Sequence, residues 1–449
     1  IRRKYIRMED DTRGRIVSAY TIRFIFSYRK AYTMNVRIHN FIDIFSDVAK
    51  KYPDRPALTD YATLDGKEGN SYTYGEWYSK VLSLCGLFHA IGLKRGDHIA
   101  ICGYNSANWV VSYFAITAFG GVAVTLPNNI PINEIIYLTS FSDTHTLIAD
   151  SDIIDLIPSG EYFTTIISLK DFSVLSGKGV KDSLAACQFT EIDLTQPAQI
   201  CFTSGSLSNP KAVVLSFENL SNNLRNAVDN LPDCHCSSSI AVLPLFHSYG
   251  LLGGVLCQFP HAHQMFFFGS ALSFEILMKS IARIRPYSLV IVPSIIESIY
   301  KRLGCKITQL LGDNLKQLLV GGAAMDSRIE DNLLNLGLPL TVGYGMTETA
   351  PLIGADLWSD FVPHSCGRVV SGMEVKISDC GEILARGANV MLGYYKDPEA
   401  TRRKIDAEGW LHTGDRGRVE EDGTLYVYGR MEQDMIVLPS GENIIPQNI

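Results

Sequence analysis

The sequence lacks long uninterrupted apolar runs. Its two longest apolar stretches, around residues 240–259 and 288–296, are broken by Pro, His, Ser or Gln. A membrane-spanning helix needs about 18 apolar residues in a row, so we expect no such helix and interpret both stretches as core strands and loops. A signal peptide is also disfavoured, because Arg23 and Arg29 interrupt the apolar stretch that follows Arg2-Arg3-Lys4.

The sequence also has few charged residues, 19% of the chain, and no basic surplus beyond its start. Residues 1–36 hold nine Lys or Arg and three Asp or Glu, a net charge of +6, and the whole chain carries −7, so the remainder carries −13. A nucleic-acid-binding face requires clustered Lys and Arg. We therefore expect no nucleic-acid partner, whereas small anions remain compatible because backbone N–H groups can bind them.

Disulfide-framework spacing is absent as well, although the chain has ten cysteines. A chain of 449 residues buries enough core to fold without disulfides, which favours a reducing compartment and a cytoplasmic protein. Cys234-His235-Cys236 and His261-Ala262-His263 do not have the ligand spacing of a zinc module. We therefore interpret neither as a metal site.

The basic N-terminal segment has two interpretations. Residues 1–33 precede Met34, a candidate initiator, and their charge suits a peripheral contact with an anionic membrane. However, their aromatic and Arg residues follow no fixed period and form no amphipathic face. We therefore favour the second interpretation, in which residues 1–36 are a non-native or disordered segment.

Beyond this segment, stretches with helical spacing alternate with short apolar runs. Phe41–Tyr52 and Trp77–Phe88 each predict a helix with one buried face. His98–Cys102 and Val122–Thr125 predict strands, and a helix is predicted through Trp109–Phe119 between them. This alternation predicts an α/β fold with wound sheets, and the chain length allows at least two packed units.

The pattern changes from about residue 352 to residue 430, where short strand-like runs are separated by Gly and Asp turns. These runs are Glu374–Ile377, Glu382–Ala385 and Leu425–Tyr428, and they predict a β-rich subdomain. The chain stops at Ile449 without a turn or cap. We therefore interpret residues 37–430 as one large domain and residues 431–449 as a hinge and the start of a truncated C-terminal domain.

The segment that is most informative about chemistry is Cys201–Val213. An apolar strand leads into a loop of small and hydroxylated residues, and Lys211 precedes a second strand at Ala212–Leu215. Such a loop can surround phosphate oxygens with N–H and hydroxyl donors. It is not a Walker A loop, because Pro210 takes the second Gly position and a strand follows. A different phosphate loop and an ordinary Ser/Gly hairpin turn both stay open.

This segment resembles the signature loop of the adenylate-forming superfamily, which includes acyl-CoA synthetases, peptide adenylation domains and luciferases. Six further blocks of that family follow in order and make chance agreement negligible. They are Pro244–Gly250, Gly321–Ala324, Gly343–Thr349, Gly409–Asp415, Tyr428–Arg430 and Ser440–Ile444. The resemblance implies the large N-terminal domain of that fold, with two wound α/β subdomains and a β-rich subdomain.

The resemblance also implies a role for each candidate site residue. The β- and γ-phosphates of ATP would be held by Thr203, Ser204, Gly205, Ser206 and Lys211. Adenine would lie between Tyr344-Gly345 and the backbone of Gly322, Ala323 and Ala324, and the ribose would be held by Asp415 and Arg430. The residues with catalytic roles would be Lys211, Thr347 at the α-phosphate, Glu348 as the Mg²⁺ ligand, and His247 at the gate of the thiol tunnel.

Three of these residues keep a structural alternative. Asp415 follows Thr-Gly and can cap a turn, Arg430 can be a solvated surface residue, and His247 can be a hydrogen-bonded core histidine. The family pattern itself is broken at Ser208 and Ala212, which replace glycines, and at Phe217, where many relatives have His. A Cβ at position 208 disfavours a positive φ, which puts the loop geometry and the turnover in question.

The hinge and the small C-terminal domain are the largest departures from the family pattern. The hinge residue is either Glu432 or Gln433, because this stretch is one residue longer than in the family. No segment matches the small domain that carries a catalytic Lys. We therefore expect this chain to bind ATP but to perform neither half-reaction well.

The expected function is ATP- and Mg²⁺-dependent activation of a carboxylic acid to an acyl-adenylate, followed by thioester formation with CoA. A long-chain fatty acid is the favoured acid, because Val390–Tyr395, Pro398–Thr401 and Ile436–Leu438 resemble long-chain members most. The expected partners are ATP, a fatty acid and CoA, and nothing in the sequence indicates a protein partner. Two alternatives stay open: an adenylation domain that loads a carrier protein, and a catalytically weak nucleotide- or acyl-binding protein of the same fold.

Overall fold

The computed structural model describes residues 40–62, 69–159, 162–176, 191–203, 211–229, 237–269 and 272–431, with the backbone of 436–437 and 443–444. All of these described residues belong to one compact unit. Several predictions lie outside the described residues, namely those for segment 1–36, Ser204–Ser206, Ser208, Cys234–Cys236, Glu432 and Gln433. Within the described part, no helix is long and apolar enough to cross a membrane.

The described helices and strands alternate along the first three quarters of the chain. The α-helices are α1 Phe41–Lys51, α2 Tyr74–Ala90, α3 Ala107–Phe119, α4 Ile132–Phe141, α5 Ser151–Ile154, α6 Phe217–Asp229, α7 Ser248–Leu251, α8 Phe274–Ile284, α9 Pro293–Leu303, α10 Ile307–Leu311, α11 Ser327–Asn335 and α12 Pro398–Lys404. The strands of the first half are β1 Pro56–Asp60, β2 Ser71–Thr73, β3 His98–Cys102, β4 Val122–Leu126, β5 Thr146–Ala149, β6 Thr165–Ser168, β7 Val174–Ser176, β8 Pro197–Phe202, β9 Ala212–Ser216, β10 Ser238–Ile240 and β11 Gln264–Phe267.

Strands become more frequent in the remaining part of the chain. They are β12 Ser288–Ile291, β13 Gln317–Val320, β14 Leu340–Val342, β15 Tyr344–Gly345, β16 Leu352–Ala355, β17 Arg368–Val369, β18 Met373–Ile377, β19 Glu382–Gly387, β20 Gly393–Tyr394, β21 Leu411–Val419, β22 Leu425–Arg430, β23 Ile436–Val437 and β24 Asn443–Ile444. The helices and strands that the sequence predicted between residues 41 and 125 are all present, within one to three residues of the predicted ends.

Two wound sheets form the α/β part, as the sequence predicted. One sheet has the order β20-β9-β8-β4-β3-β5-β6-β7, and its interior pairs from β8 to β6 are parallel. The second has the order β14-β13-β12-β10-β11-β1-β2 and is parallel from β14 to β1. The early strand β1 therefore belongs to the second sheet, because Leu58 pairs with Met265 of β11.

A β-rich subdomain follows, built around the antiparallel order β18-β19-β21-β22. The three-stranded sheet β15-β16-β17 precedes it. One strand of this part of the chain joins the first α/β sheet instead, because Gly393 and Tyr394 of β20 pair with Val214 and Val213 of β9. This pairing brings the β-rich part of the chain next to the strand that follows the phosphate loop.

Local sequence signals explain where the first helices begin. The Asn40 side chain accepts from the backbone N–H groups of Ile42 and Asp43, both at 2.9 Å, and so caps α1. Thr73 and Glu76 form a reciprocal capping box at the start of α2. By contrast, α3 is buried along its whole length between other elements, which explains its apolar character on every face.

An aromatic cluster forms the centre of the main core. The Phe45 ring lies 4.3 Å from the Trp77 ring, and Trp77 lies 4.7 Å from Phe114. Phe41 completes the cluster against Phe114 at 5.8 Å and stacks on Phe217 at 6.0 Å. Phe217, which stands where many relatives have His, is therefore part of the packed core and only 1% exposed.

The prediction of core strands and loops across residues 240–259 and 288–296 is partly wrong. After β10, the first stretch forms α7, a π-helical turn at Leu252–Leu256 and a 3₁₀ turn at Phe259–His261, and the second stretch leaves β12 to begin α9. The π-helical turn packs directly on β12, where a Cβ at Gly253 would come 2.5 Å from Val290. Gly253 and Gly254 allow this close backbone packing, which favours the π-helical turn. The turn is too short to show helical periodicity in the sequence.

Candidate active site

The candidate site begins at the carboxyl ends of three parallel strands. β12, β13 and β14 end at Ile291, Val320 and Val342, and the blocks Gly321–Ala324 and Gly343–Thr349 follow β13 and β14 directly. The backbone N–H of Gly343 donates to the carbonyl of Val320 at 2.9 Å, so the two blocks lie side by side. In open α/β sheets, ligands bind at this edge, which makes it the first candidate for a nucleotide site.

Tyr249 brings the Pro244–Gly250 block to the same edge. Its hydroxyl lies 3.3 Å from the carbonyl of Ile291 and 3.4 Å from the carbonyl of Leu319, so it bridges the ends of β12 and β13. A Cβ added to Gly321 would lie 3.1 Å from the Tyr249 hydroxyl oxygen. The adjacent Gly322 has a φ of +83°, which a side chain would strain, and these two glycines therefore let the loop pass closely over the tyrosine.

Tyr344, Asp415 and Arg430 form one hydrogen-bonded group. The Tyr344 hydroxyl donates to Oδ2 of Asp415 at 2.7 Å, and Nε of Arg430 lies 3.0 Å from Oδ1 of the same carboxylate. Asp415 and Arg430 face each other across β21 and β22. Burial, with the nearby Asp415 charge, raises the pKa of Tyr344, so the phenol stays protonated and acts as a donor.

The backbone around Asp415 is held by its own strand neighbours. Oγ1 of Thr413 accepts from the backbone N–H of Asp415 at 3.0 Å and donates to the carbonyl of Ile383 at 2.7 Å. The N–H of Gly414 donates to a Glu382 carboxylate oxygen at 2.8 Å. Asp415 therefore has a role beyond turn capping: its carboxylate binds two side chains while the turn is closed by other groups.

Glu348 belongs to a second group, which it forms with Tyr394 and Lys211. It is 7% exposed, and its Oε1 accepts from the Tyr394 hydroxyl at 2.7 Å. The ammonium of Lys211 lies over the Tyr394 ring, 5.6 Å from its centroid. Burial, followed by the Glu348 charge, raises the pKa of Tyr394. The carboxylate is thus held by a protonated phenol with a basic side chain close by.

The two strands that flank the predicted phosphate loop, β8 and β9, are both present. β8 and β9 pair in antiparallel register, with Phe202 opposite Ala212, and the N–H of Thr203 donates to the carbonyl of Lys211 at 3.1 Å. Ser204, Gly205 and Ser206 lie outside the described residues. The geometry therefore fits the strand-loop-strand prediction, and the phosphate-binding role of the loop stays a prediction.

Thr347 and His247 occupy the starts of two short helical turns. Thr347 is half-buried and begins a 3₁₀ turn at Thr347–Thr349, whose backbone is fixed by the Thr349 hydroxyl. His247 is exposed and caps α7 with its backbone, beside the Phe246 ring at 4.3 Å. Nearby protein atoms remove part of the water from the imidazole and so lower the pKa of His247. Within the described residues, no hydrogen bond joins His247 to the Asp415 group.

Comparison with known proteins identifies the fold and the family. The family model described as "AMP-binding enzyme" matches residues 45–395, which is most of the chain. 4-Coumarate–CoA ligase 3 of Arabidopsis thaliana is 30% identical over 412 residues, 85% of this chain and 71% of the relative. The chain belongs to the AMP-binding enzyme family. The resemblance to the adenylate-forming superfamily is therefore confirmed.

Other relatives of this AMP-binding enzyme act, by name, on different acids. A 2-succinylbenzoate–CoA ligase of Listeria monocytogenes is 27% identical, over 85% of this chain and 78% of the relative. The long-chain-fatty-acid–CoA ligase heimdall of Drosophila melanogaster is 25% identical, over 91% of this chain and 71% of the relative. The chain is therefore of the acid–CoA ligase type, whereas its acid is not determined by its relatives.

Solved structures agree with the fold of this AMP-binding enzyme. The inhibitor-bound N-terminal domain of FACL13 from Mycobacterium tuberculosis has a TM-score of 0.74 at 20% identity, covering 87% of this chain and 99% of that one. Apo MatB from Rhodopseudomonas palustris has a TM-score of 0.76 at 23% identity, covering 91% and 82%. The predicted architecture, the large N-terminal domain of the adenylate-forming fold, is confirmed.

Two side chains of the site are missing from the sequence-based set. Tyr394 stands in the Val390–Tyr395 block, but nothing in that block signals a bond to Glu348, because only the β9–β20 pairing brings it there. Lys404, the last residue of α12, is half-buried and donates to the carbonyl of Thr413 at 3.3 Å. Its sequence signal was weak, a lysine in a basic run three residues after Thr401.

The residues around Glu348 fit a magnesium ion that is shared with a nucleotide. Mg²⁺ sites in such enzymes commonly use one or two carboxylates, with phosphate oxygens and water as the other ligands. Glu348 supplies one carboxylate, of which one oxygen is held by Tyr394. Within the described part of the chain, no group of three or more acidic, His or Cys side chains could hold a metal by itself. A nucleotide-dependent ion therefore suits this site better than a permanent one.

Proposed function

We propose that this chain supplies the nucleotide- and acyl-binding site for the ATP-dependent activation of a fatty acid and its transfer to CoA. In the first step, a carboxylate oxygen of the acid attacks the α-phosphorus of ATP, and the bond to the β-phosphate breaks, releasing pyrophosphate. In the second, the thiolate of CoA attacks the acyl carbon and AMP leaves. The observation that carries the proposal is the Tyr344–Asp415–Arg430 group beside the adjacent blocks Gly321–Ala324 and Gly343–Thr349.

The nucleotide contacts follow from the chemistry of the groups in place. Adenine lies over the backbone of Gly322, Ala323 and Ala324, with the Tyr344 ring and Gly345 on its other side. The ribose hydroxyls donate to Asp415, because each of its oxygens has a second lone pair beyond the bond that it already accepts. Arg430 adds a donor to the same sugar.

The phosphate contacts lie on the side of Lys211 and Glu348. Thr203, Lys211 and the loop between them hold the β- and γ-phosphates, and Thr347 holds the α-phosphate. Glu348 would hold a Mg²⁺ ion, and that ion would supply positive charge against the phosphate oxygens. The residues themselves bind and orient the reactants, and His247 lines the opening through which the acyl group meets CoA.

The fatty-acid part of the proposal is supported by similarity in two sequence stretches and by the name of one relative. The Val390–Tyr395 and Pro398–Thr401 stretches are most similar to long-chain members, and the chain has a long-chain-fatty-acid–CoA ligase among its relatives. We also propose the reducing, cytoplasmic compartment that the scattered cysteines of the sequence favour. A peripheral membrane contact would place such an enzyme beside its apolar substrate.

Binding of non-hydrolysable acyl-adenylate analogues tests the proposal on the chain as it exists. Calorimetry compares AMP with analogues that carry a hexadecanoyl, a 4-coumaroyl or a 2-succinylbenzoyl group. We expect the hexadecanoyl analogue to bind at least about tenfold more tightly than AMP, because its acyl chain buries apolar area. Tighter binding of an aromatic analogue would overturn the fatty-acid assignment alone. No gain over AMP for any analogue would overturn acyl activation and favour a nucleotide-binding protein of the same fold.

A further inference from the structure

Lys404 is a half-buried cation that lies between the two groups of the candidate site. It ends α12, the helix that follows β20, and its ammonium donates to the carbonyl of Thr413, two residues before Asp415. The charges of Glu348, Arg430, Lys211 and Asp415 all act on it. The ammonium is thus close to the ribose-side carboxylate and to the phosphate-side lysine at the same time.

The ammonium of Lys404 does not use all of its hydrogen-bond donors within the described residues. An ammonium has three N–H donors, and the described residues supply one acceptor, the carbonyl of Thr413. No carboxylate of the described residues forms an ion pair with it, although Glu348 and Asp415 are near enough to act on its charge. A partly buried cation is unfavourable unless it is paired, so an anionic ligand that reaches the ammonium would satisfy its remaining donors.

The position of α12 is fixed by packing rather than by chance contact. Thr401, one turn before Lys404, accepts from the backbone N–H of Tyr394 at 2.9 Å and donates to the carbonyl of Asp397 at 2.8 Å. Residues three apart lie on the same helix face, so Lys404 continues the face that contacts β20. The same strand carries the Tyr394 hydroxyl that holds Glu348. These bonds therefore fix the helix backbone, and with it the Cα of Lys404, beside β20.

We propose that Lys404 binds the α-phosphate of the nucleotide. The inference rests on the proposed function, in which Asp415 holds the ribose and Lys211 the β- and γ-phosphates. In ATP the α-phosphate is bonded to the ribose on one side and to the β-phosphate on the other, so it lies between those two groups. Lys404 lies between the same two groups and can donate N–H hydrogen bonds to the α-phosphate oxygens. Thr347, in the turn that follows β15, would donate to the same phosphate.

The test measures the affinities of Lys404→Met for AMP, ATP and adenosine, because this substitution keeps the side-chain length and removes the charge. Adenosine lacks the phosphate, so its affinity reports whether the variant still holds the nucleoside. We expect AMP affinity to fall about ten- to a hundredfold, the effect of losing a hydrogen bond to a charged group, with adenosine affinity unchanged. Lys404→Arg should recover part of the AMP affinity. Arg403→Gln is the matched control, because Arg403 is exposed on the same helix and pairs with Glu399 at 2.6 Å.

Each other outcome overturns the inference in a distinguishable way. An equal loss of AMP and adenosine affinity would make Lys404 a structural residue of the Thr413 strand. A loss for ATP alone, with AMP unchanged, would place it at the β- or γ-phosphate. AMP binding by Lys404→Met as tight as by the parent would remove Lys404 from the site while leaving the proposed function intact. Absence of AMP binding by the parent protein would overturn the proposed function, and this inference with it.

Discussion

Tyr344 and Asp415, 71 residues apart in the chain, are joined by a hydrogen bond of 2.7 Å from the phenol to Oδ2. Arg430 occupies the other carboxylate oxygen at 3.0 Å. With both oxygens held, the carboxylate cannot rotate freely, and its remaining lone pairs point in set directions. Such preorganisation would reduce the entropy lost when a diol is bound, which fits the ribose-binding role that we propose for Asp415.

Replacement of Asp415 by Asn should weaken nucleoside binding selectively. Asn keeps the shape but turns one acceptor into a donor that faces a hydroxyl, so we expect AMP and adenosine affinity to fall by about 1–3 kcal/mol, the effect of an unsatisfied buried polar group. Pyrophosphate affinity should change little. Calorimetry measures all three affinities. Glu420→Gln serves as the control, because Glu420 is exposed just after the same strand and pairs with Arg418. An equal loss for pyrophosphate would show that Asp415 acts through folding.

Lys211→Met and Thr347→Ala should show which phosphate of ATP each of the two residues binds. Each removes a donor to charged phosphate oxygen, worth about 1.5–3 kcal/mol, so both should lower MgATP affinity. We expect Thr347→Ala to lower AMP affinity also, whereas Lys211→Met should leave it close to that of the parent. Lys396→Met is the matched control, because Lys396 pairs with Asp143 at 2.7 Å. Unchanged MgATP affinity in both variants would contradict the site assignment.

Tyr394→Phe should raise the Mg²⁺ concentration needed for ATP binding. The variant keeps the ring under Lys211 but removes the hydroxyl that orients the Glu348 carboxylate. Loss of this hydrogen bond should weaken Mg²⁺ binding by about 1 kcal/mol, or roughly fivefold in affinity. The measurement is ATP binding against Mg²⁺ concentration, repeated with a chelator. Tyr395→Phe is the control, because that hydroxyl donates to Asp143 instead. The same Mg²⁺ dependence in Tyr394→Phe and parent would separate Glu348 from metal binding.

Asp150 should make the protein less stable as the pH rises through the weakly acidic range. Burial raises its pKa from the usual 3.8 to about 6, against a hydrogen bond from the Tyr104 N–H. Between about pH 4 and 6 the folded state therefore binds more protons than the unfolded state, and stability falls as pH increases, by about 3 kcal/mol in total for a shift of this size. Denaturant unfolding of Asp150→Asn should lose this slope.

The matched control for this pH dependence is Asp155→Asn. Asp150 directly precedes the short helix α5 and Asp155 directly follows it, and the Asp155 carboxylate is exposed. Its unfolding free energy should follow that of the parent across the pH range. A slope in Asp150→Asn as steep as in the parent would assign the pH dependence to other groups, such as the half-buried Asp60, whose pKa is also raised by burial.

The sequence was sufficient for the elements whose signals are local. Helical periodicity predicted α1 and α2, short apolar runs predicted β3, β4, β8 and β9, and ordered blocks predicted the family, because residues close in the chain carry these signals themselves. The resemblance also implied one site with Asp415, Arg430, Tyr344 and Glu348. The structure joins the first three through hydrogen bonds, and the ligand roles of all four stay predictions.

The tertiary structure decided the contacts that no local pattern encodes. The bond from Tyr394 to Glu348 depends on β20 crossing to β9, and Lys404 reaches the site only because α12 packs between β20 and Thr413. Likewise, Leu252–Leu256 forms a π-helical turn because its glycines pack against Val290. In each case, long-range pairing or close packing between segments far apart in the chain sets the geometry, and the sequence around each residue contains no record of its partner.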